Sequence, residues 1–416
     1  MKKRVLAIVL ALVLTLSMVL AACSSGGSTG GKVAITIFNS KMEIQSQMEE
    51  MAKKYSEEKG VDVEVYYSSD TVAAHLSTRY ASGDPYTISM VDAKDIYSLA
   101  AEHAVDLSDQ DWVANTTQAI SIGGKVYGFP VCVEARGIIY NKDAIEAATG
   151  AEFDPTSVKT TADLQALAEK VGTGIMNEDW SLGAHYLAEV YEQHEDPDAF
   201  IAGIKDGSIK LIEDEKFNAM MDTFDVLMAN NYAKDAPGSA EREVTEQKLA
   251  EGEIGFMFGG NWDWSVINAY EYSENMGIMP VPNDVDDGSS DKLVGGGSKY
   301  FFIDSSENIS EEQRQAAKDF LNWLVNDEEG QSFIVNDCAL VPAFSNITLA
   351  VGDPLGASVK SYADTGAMIG NYNYLPDDHY AKTGAIFQKY LDQKIDRATF
   401  ADEITEYWAT AEVGAH

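Results

Sequence analysis

Residues 33–65 read VAITIFNSKMEIQSQMEEMAKKYSEEKGVDVEV, and this stretch decides the fold class. Val33 to Phe38 is a short apolar run rich in β-branched residues, which reads as a strand. From Met42 to Glu58 the apolar positions Ile44, Met48, Met51 and Tyr55 recur at helical spacing, and Gly60 stands where such a helix stops. Val61, Val63 and Val65 then alternate with acids as a second strand. Strand, helix and strand within about 35 residues form a βαβ unit, which implies a parallel sheet covered by helices.

The same grammar continues downstream. Thr160 and Asp163 have capping-box spacing ahead of an apolar helix over 164–171. Residues 217–228 and 316–325 are further amphipathic helices, and Trp323 and Trp408 fall on helical apolar faces as core residues. Residues 87–91, 254–258 and 300–303 read as apolar strands. The acidic loop DVDDGSSD (284–291) misses a calcium loop, because its glycine is misplaced and no glutamate closes it. The six histidines are scattered without metal-ligand spacing, so no metal or other cofactor is expected.

The amino terminus assigns the compartment. Lys2-Lys3-Arg4, an apolar run from Val5 to Leu20 and then Ala21-Ala22-Cys23 give a basic segment, an apolar core and small residues at a cleavage point. The run is too short for a comfortable membrane span. Residues 1–22 read as a lipoprotein signal peptide, with Cys23 the acylated new terminus, because two acyl chains suffice for stable anchoring. Residues 23–31 are this cysteine and a Ser/Gly linker with a reach of roughly 15 Å. The chain is expected to work outside the cytoplasm, tethered to the outer face of the membrane. Its net charge of −37 becomes −40 once Lys2, Lys3 and Arg4 leave, which excludes nucleic acid as a partner. Removing 22 of 416 residues leaves 394, enough for two lobes. Cys132 and Cys338 sit in apolar runs as small buried hydrophobes, and a single bridge between them stays open.

Four segments carry a resemblance. They are GKVYGFPVCVEARGIIYNKD (124–143), MNEDW (176–180), EGEIGFMFGGNWDWSVI (251–267), and the stretch from LVGGGSKYFFI (293–303) to DFLNWLVNDEEGQ (319–331). Their order and spacing resemble the extracellular solute-binding proteins of carbohydrate ABC transporters (solute-binding family 1), the maltodextrin binders in particular. The resemblance implies an α/β fold of the two-lobed periplasmic-binding-protein type II, with a ligand cleft between lobes and hinge crossovers near Val133–Arg136, Gly295–Ser298 and Val341. Lobe 1 would be residues 32–133 plus 298–340, and lobe 2 residues 134–297 plus 341–416. The implied function is capture of an oligosaccharide, malto-oligosaccharides slightly favoured, by a monomer that delivers it to the permease subunits of an ABC importer.

Sugars present flat C–H faces and many hydroxyls, so a cleft that mixes tryptophans with charged and amide groups is the matching chemistry. On the resemblance, Trp262 would stack on a sugar ring, Trp180 would pack on it, and Glu178, Glu134 and Lys41 would meet its hydroxyls. The alternative readings are a lobe-core tryptophan at Trp262, a half-buried tryptophan at Trp180 and an ordinary loop acid at Glu178. Glu134 lies in an apolar segment where an unneeded acid is costly to bury. Glu43, Asn261, Asp263, Asp92, Arg136, Lys299 and Tyr372 complete the candidate ligand contacts. Arg136 would pair with Glu134 or another acid. Asp263 departs from the apolar residue familiar at its position. Tyr372 or His379 would replace a stacking tryptophan that the family carries near the C-terminus. No catalytic residue is expected. A secreted glycoside hydrolase, using two of Glu134, Glu178 and Asp263, and a binding protein for a non-carbohydrate solute are the alternatives.

Overall fold

Ile35 and Ile37 point into the protein with no exposed surface, while Thr36 between them is half-covered, so strand β1 (Ala34–Asn39) is built on a period of two. The computed structural model describes residues 32–68, 70–376 and 378–412. After β1 a short 3-10 turn leads into the helix Gln45–Lys59, which buries Met48, Met51, Ala52 and Tyr55. It ends at Gly60, whose φ of 72° is the left-handed conformation that glycine adopts without a Cβ clash. Strand β2 (Asp62–Tyr67) returns parallel to β1, Ala34 opposite Asp62, and the expected βαβ unit is formed. Strand β3 (Ile88–Asp92) lies parallel on the other side of β1.

Seven more strands complete one sheet system. They are β4 (Ile120–Ile122), β5 (Lys125–Asn141), β6 (Thr173–Gly174), β7 (Phe256–Gly260), β8 (Met276–Met279), β9 (Leu293–Ile303) and β10 (Met368–Ile369). The main path runs β2-β1-β3-β9-β5-β7-β6, with β4 and β8 on β5 and β10 on β9. The two long strands, 17 residues in β5 and 11 in β9, make the architecture. At its carboxyl end β9 pairs antiparallel with β3, Asp92 opposite Lys299. On its other side it pairs antiparallel with β5 along most of its length, from Phe301 opposite Phe129 to Val294 opposite Arg136. The far half of β5 pairs with β7 and β8 instead.

Register breaks in β5 fall between Pro130 and Cys132 and between Cys132 and Val133. At that point Val133 faces Gly297, and its N–H also donates to the carbonyl of Val341 at 2.9 Å. All three segments expected to cross between lobes therefore meet at one residue. Irregular pairing of this kind bends a strand and re-aims its side chains.

Helices cover the sheet on both sides of this junction. Thr160 and Asp163 form the expected capping box on the helix Thr161–Val171. One apolar cluster runs from Ile35 and Phe301 to Ile139 and Ile278, and a second is built on Tyr186, Phe224, Phe387 and Trp408. Trp323 and Trp408 are buried, as expected. Cys132 and Cys338 are both buried and unbridged, which closes the question of a disulfide. In the acidic loop, Asp287 pairs with Lys216 at 2.6 Å and Asp291 with Lys159. No helix among the described residues is long and apolar enough to cross a membrane.

Candidate functional site

The carboxyl ends of β1 and β3 lead to the middle of the crossing strands β5 and β9, and ligands of open α/β sheets bind beyond such strand ends. Lys41 follows β1. Asn39 turns the chain there, its amide oxygen accepting from the Lys41 N–H at 2.9 Å. The Lys41 side chain is only 6% exposed, and its Nζ lies 2.7 Å from Glu134 Oε1 and 2.6 Å from Glu43 Oε1. Burial would lower the ammonium's pKa, but the two carboxylates outweigh it and hold the proton well above the usual lysine range. Burial would likewise raise Glu134, yet Lys41 and the Ser298 hydroxyl hold it below the usual carboxylate range. Beside this group Lys299 and Asp92, opposite each other in register, pair at 2.5 Å.

A second group comes from residues 176–186 and 260–264. Asp179 accepts a hydrogen bond from the Trp180 N–H at 2.8 Å, and residues 180–186 wind as a π-helix, a geometry often found at functional sites. Gly183 and Gly384 let the helix His379–Leu391 approach this segment closely, since a Cβ on Gly183 would fall 2.7 Å from the Gly384 nitrogen. Trp180 meets His185 edge-on, ring centroids 5.3 Å apart, and His185 meets Trp262 at 4.7 Å. Trp262 lies over Gly260, where a Cβ would fall 2.3 Å from its ring. Both tryptophans stay half-exposed. Asn261 ties this group to the junction, its Oδ1 accepting from the Ala135 N–H at 2.9 Å.

The remaining candidates are placed differently. Asp263 is fully buried, its carboxylate accepting from Arg242 Nη2 at 2.9 Å and from the Gly260 N–H at 3.0 Å. In this conformation it braces the tryptophan loop and has no surface for a ligand. Glu246 joins the pair through Arg242 Nε at 2.8 Å. Burial, then the neighbouring Asp263, pushes the Glu246 carboxyl above its usual range. The Arg242 guanidinium also lies over Trp180, 5.5 Å from the ring centre. Glu178 accepts from the Arg242 N–H at 2.8 Å, and its second oxygen is sealed without a partner.

Arg136 pairs with Glu192 and reaches Glu189 at 3.5 Å, all three buried, so its partner is not Glu134. Tyr372 turns inward: its N–H donates to Glu192 at 2.8 Å and its hydroxyl to Asp198 at 2.6 Å. His379 is 1% exposed among Tyr191, Tyr407 and Trp408, so it cannot replace a stacking tryptophan. In that zone Tyr97 and Tyr374, ring centroids 4.7 Å apart, line a cavity of about 490 Å³ with Tyr407, Lys94 and Asn373. Cys23 lies outside the described residues.

Sequence reasoning missed His185, Arg242 and the exposed Tyr66 and Tyr67 at the carboxyl end of β2. The pair Tyr66-Tyr67 on a strand end was a visible signal. His185 and Arg242 gave none, because only packing brings them to Trp180.

The family model for bacterial extracellular solute-binding proteins matches residues 50–367. A maltooligosaccharide ABC transporter solute-binding lipoprotein of Streptococcus pneumoniae serotype 4 is 25% identical over 324 residues, 72% of this chain and 70% of that protein. Among solved structures, RafE in complex with raffinose superposes with a TM-score of 0.75 at 20% identity, covering 91% of this chain and 99% of that one. A manno-oligosaccharide specific solute-binding protein of Bifidobacterium animalis subsp. lactis, in complex with mannotriose, gives 0.64 at 19% identity, with 91% and 94% covered. These two likenesses speak for the fold. With the family model spanning well over half of its length and three crossing segments meeting beside the tryptophan pair, the chain belongs to the bacterial extracellular solute-binding proteins.

Proposed function

We propose that this protein captures a neutral oligosaccharide between its lobes and delivers it to an ABC importer. The observation that carries this reading is the meeting, at one strand crossing, of a buried Lys41–Glu134 pair and the half-exposed Trp180–Trp262 pair. Aromatic faces suit the C–H faces of a sugar, and charged groups suit its hydroxyls. We divide the lobes at the junction, as 32–133 plus 298–340 against 134–297 plus 341–416. Hinge motion there would close the cleft around a ligand. Malto-oligosaccharides are favoured by the name of the pneumococcal relative. Lipid on Cys23 would hold the protein at the outer membrane face as a monomer, within reach of the permease.

The placement of two of the candidate carboxylates supports a role without catalysis. Glycoside hydrolysis needs an acid and a base flanking the bond. Asp263 is fully buried on Arg242, and Glu134 is committed to Lys41. Calorimetric titration of the purified protein with maltotriose, raffinose and mannotriose tests the proposal, with each mixture then assayed for released products. Saturable binding in the micromolar range, about −8 kcal/mol, without turnover is expected. Turnover, or silence with all three sugars, would overturn it.

A further inference from the structure

Strand β10 pairs with β9 at Leu293 and Val294, just ahead of Gly295, Gly296 and Gly297 in the crossing. Residues 370–376 leave the sheet from there. Asn371 and Tyr372 are anchored in the second lobe, through Arg136, Glu192 and Asp198. Tyr374 reaches the other way. Its ring meets that of Tyr97, on the helix Ala93–His103, with centroids 4.7 Å apart and planes tilted by 52°. Both tyrosines are half-buried, and burial first, then the neighbouring Tyr374, pushes the Tyr97 hydroxyl above its usual range. Tyr97 also packs against the apolar cluster that holds Tyr300, and a Cβ on Gly297 would fall 2.1 Å from the Tyr300 hydroxyl. A row of tyrosines thus leads from the glycines of the crossing strand to a contact between residues of opposite lobes. The two sides do not close-pack around it. A cavity of about 490 Å³ remains, walled by Lys94, Tyr97 and Ser98 on one side and by Asn373, Tyr374 and Tyr407 on the other. A dense core resists separation, whereas a ring pair beside an unfilled gap can part without repacking either lobe.

We infer that Tyr97 and Tyr374 form a clasp between the lobes, which holds them together in this conformation and so regulates closure of the cleft. This rests on the proposed lobe division and the sugar-binding reading, and goes beyond them by naming the contact that biases the hinge. An aromatic pair contributes, beyond its buried area, an amount that corresponds to about threefold to tenfold in an equilibrium constant. Removing one ring therefore lowers the ratio of closed to open protein by about that factor. A ligand that needs the closed form binds more weakly in proportion to the fraction of protein closed before it arrives. Where the sugar-free protein is mostly closed, losing the clasp opens it. Where it is mostly open, losing the clasp weakens binding. One of the two readouts must move.

The test records small-angle X-ray scattering from sugar-free wild type, Tyr97→Ala, Tyr374→Ala and the double variant, and then titrates each with maltotriose, raffinose and mannotriose. Each single variant is expected to raise the radius of gyration of the sugar-free protein, or to weaken the sugar that binds by about threefold to tenfold. The double variant should do no more than either single one, because the two rings act as a pair. Tyr97→Leu, which keeps apolar bulk against the Tyr300 cluster, carries the same comparison should Tyr97→Ala fail to fold. Unchanged size and unchanged affinity in the folded variants would overturn the clasp and leave the sugar-binding reading intact. Effects that simply add in the double variant would assign them to two separate local defects and overturn it as well. Wild type silent with all three sugars would overturn the sugar-binding reading, and scattering alone would then decide the clasp.

Discussion

Replacing Lys41 by methionine removes one charge from the strand crossing and keeps the length of the side chain. The ammonium sits 2.7 Å from Glu134, whose side chain is 12% exposed, and 2.6 Å from Glu43, which is 38% exposed. Breaking a buried pair by removing one partner leaves the other charge uncompensated and costs about 3–5 kcal/mol. Here the Ser298 hydroxyl and the Lys299 charge still support Glu134, so the low end applies. The expected loss is about 3 kcal/mol, or about 6–12 °C in Tm for a lobe of roughly 200 residues. Glu43→Gln removes only the solvated side of the cluster and should cost under about 1 kcal/mol.

The pH dependence separates this account from a simple packing defect. In wild type the folded pKa of Glu134 lies below its unfolded value and that of Lys41 above. The first contribution is complete above the unfolded carboxyl value of 4.5 and is lost as pH falls through the folded one. The second is complete below 10.5 and is lost only at higher pH, so the pair is insensitive to pH between about 5 and 10. In Lys41→Met burial dominates and raises Glu134. The folded form then binds the proton more tightly, and the variant regains stability as pH falls from 7 towards 5. Urea and thermal unfolding at both pH values, read by tryptophan fluorescence, measure this. A Lys41→Met protein within about 0.5 kcal/mol of wild type, or a deficit that does not shrink on acidification, would refute the reasoning.

Gly260→Ala places a methyl 2.3 Å from the Trp262 ring and must displace it; tryptophan fluorescence should shift, and sugar affinity by calorimetry should fall at least tenfold while the fold persists. Glu189, pushed up to about 8 by burial first, with Arg136 opposing and Glu192 adding, is protonated in the folded protein at neutral pH. Its folded pKa exceeds the unfolded value, so wild-type stability should decline as pH rises from about 4.5 through 8, and Glu189→Gln should flatten that decline in urea titrations. Burial pushes the Cys132 thiol up to about 12 and raises Cys338 as well, so neither should react with a thiol reagent in the native state, and both should after unfolding in denaturant.

The βαβ opening and the capped helices were legible in the sequence because each rests on local physics, whereas the crossing segments came from the family resemblance. Periodicity at Ile44, Met48, Met51 and Tyr55, the left-handed stop at Gly60 and the Thr160–Asp163 box all act within a few residues. The resemblance of GKVYGFPVCVEARGIIYNKD and EGEIGFMFGGNWDWSVI located the tryptophan loop and the crossing strand, and the structure joins them through Asn261 and Ala135. Side-chain partners were not legible. Arg136 pairs with Glu192, 56 positions away, and Asp263 with Arg242, 21 positions away, choices made by packing and desolvation over long sequence separation. His185 reaches the tryptophan pair only because a π-turn and the Gly183–Gly384 contact set its direction. Sequence alone thus determined the elements and their order, which depend on near neighbours. Tertiary structure alone decided which charges are spent inside the protein and which polar groups remain unpartnered, since both depend on what the folded chain brings together.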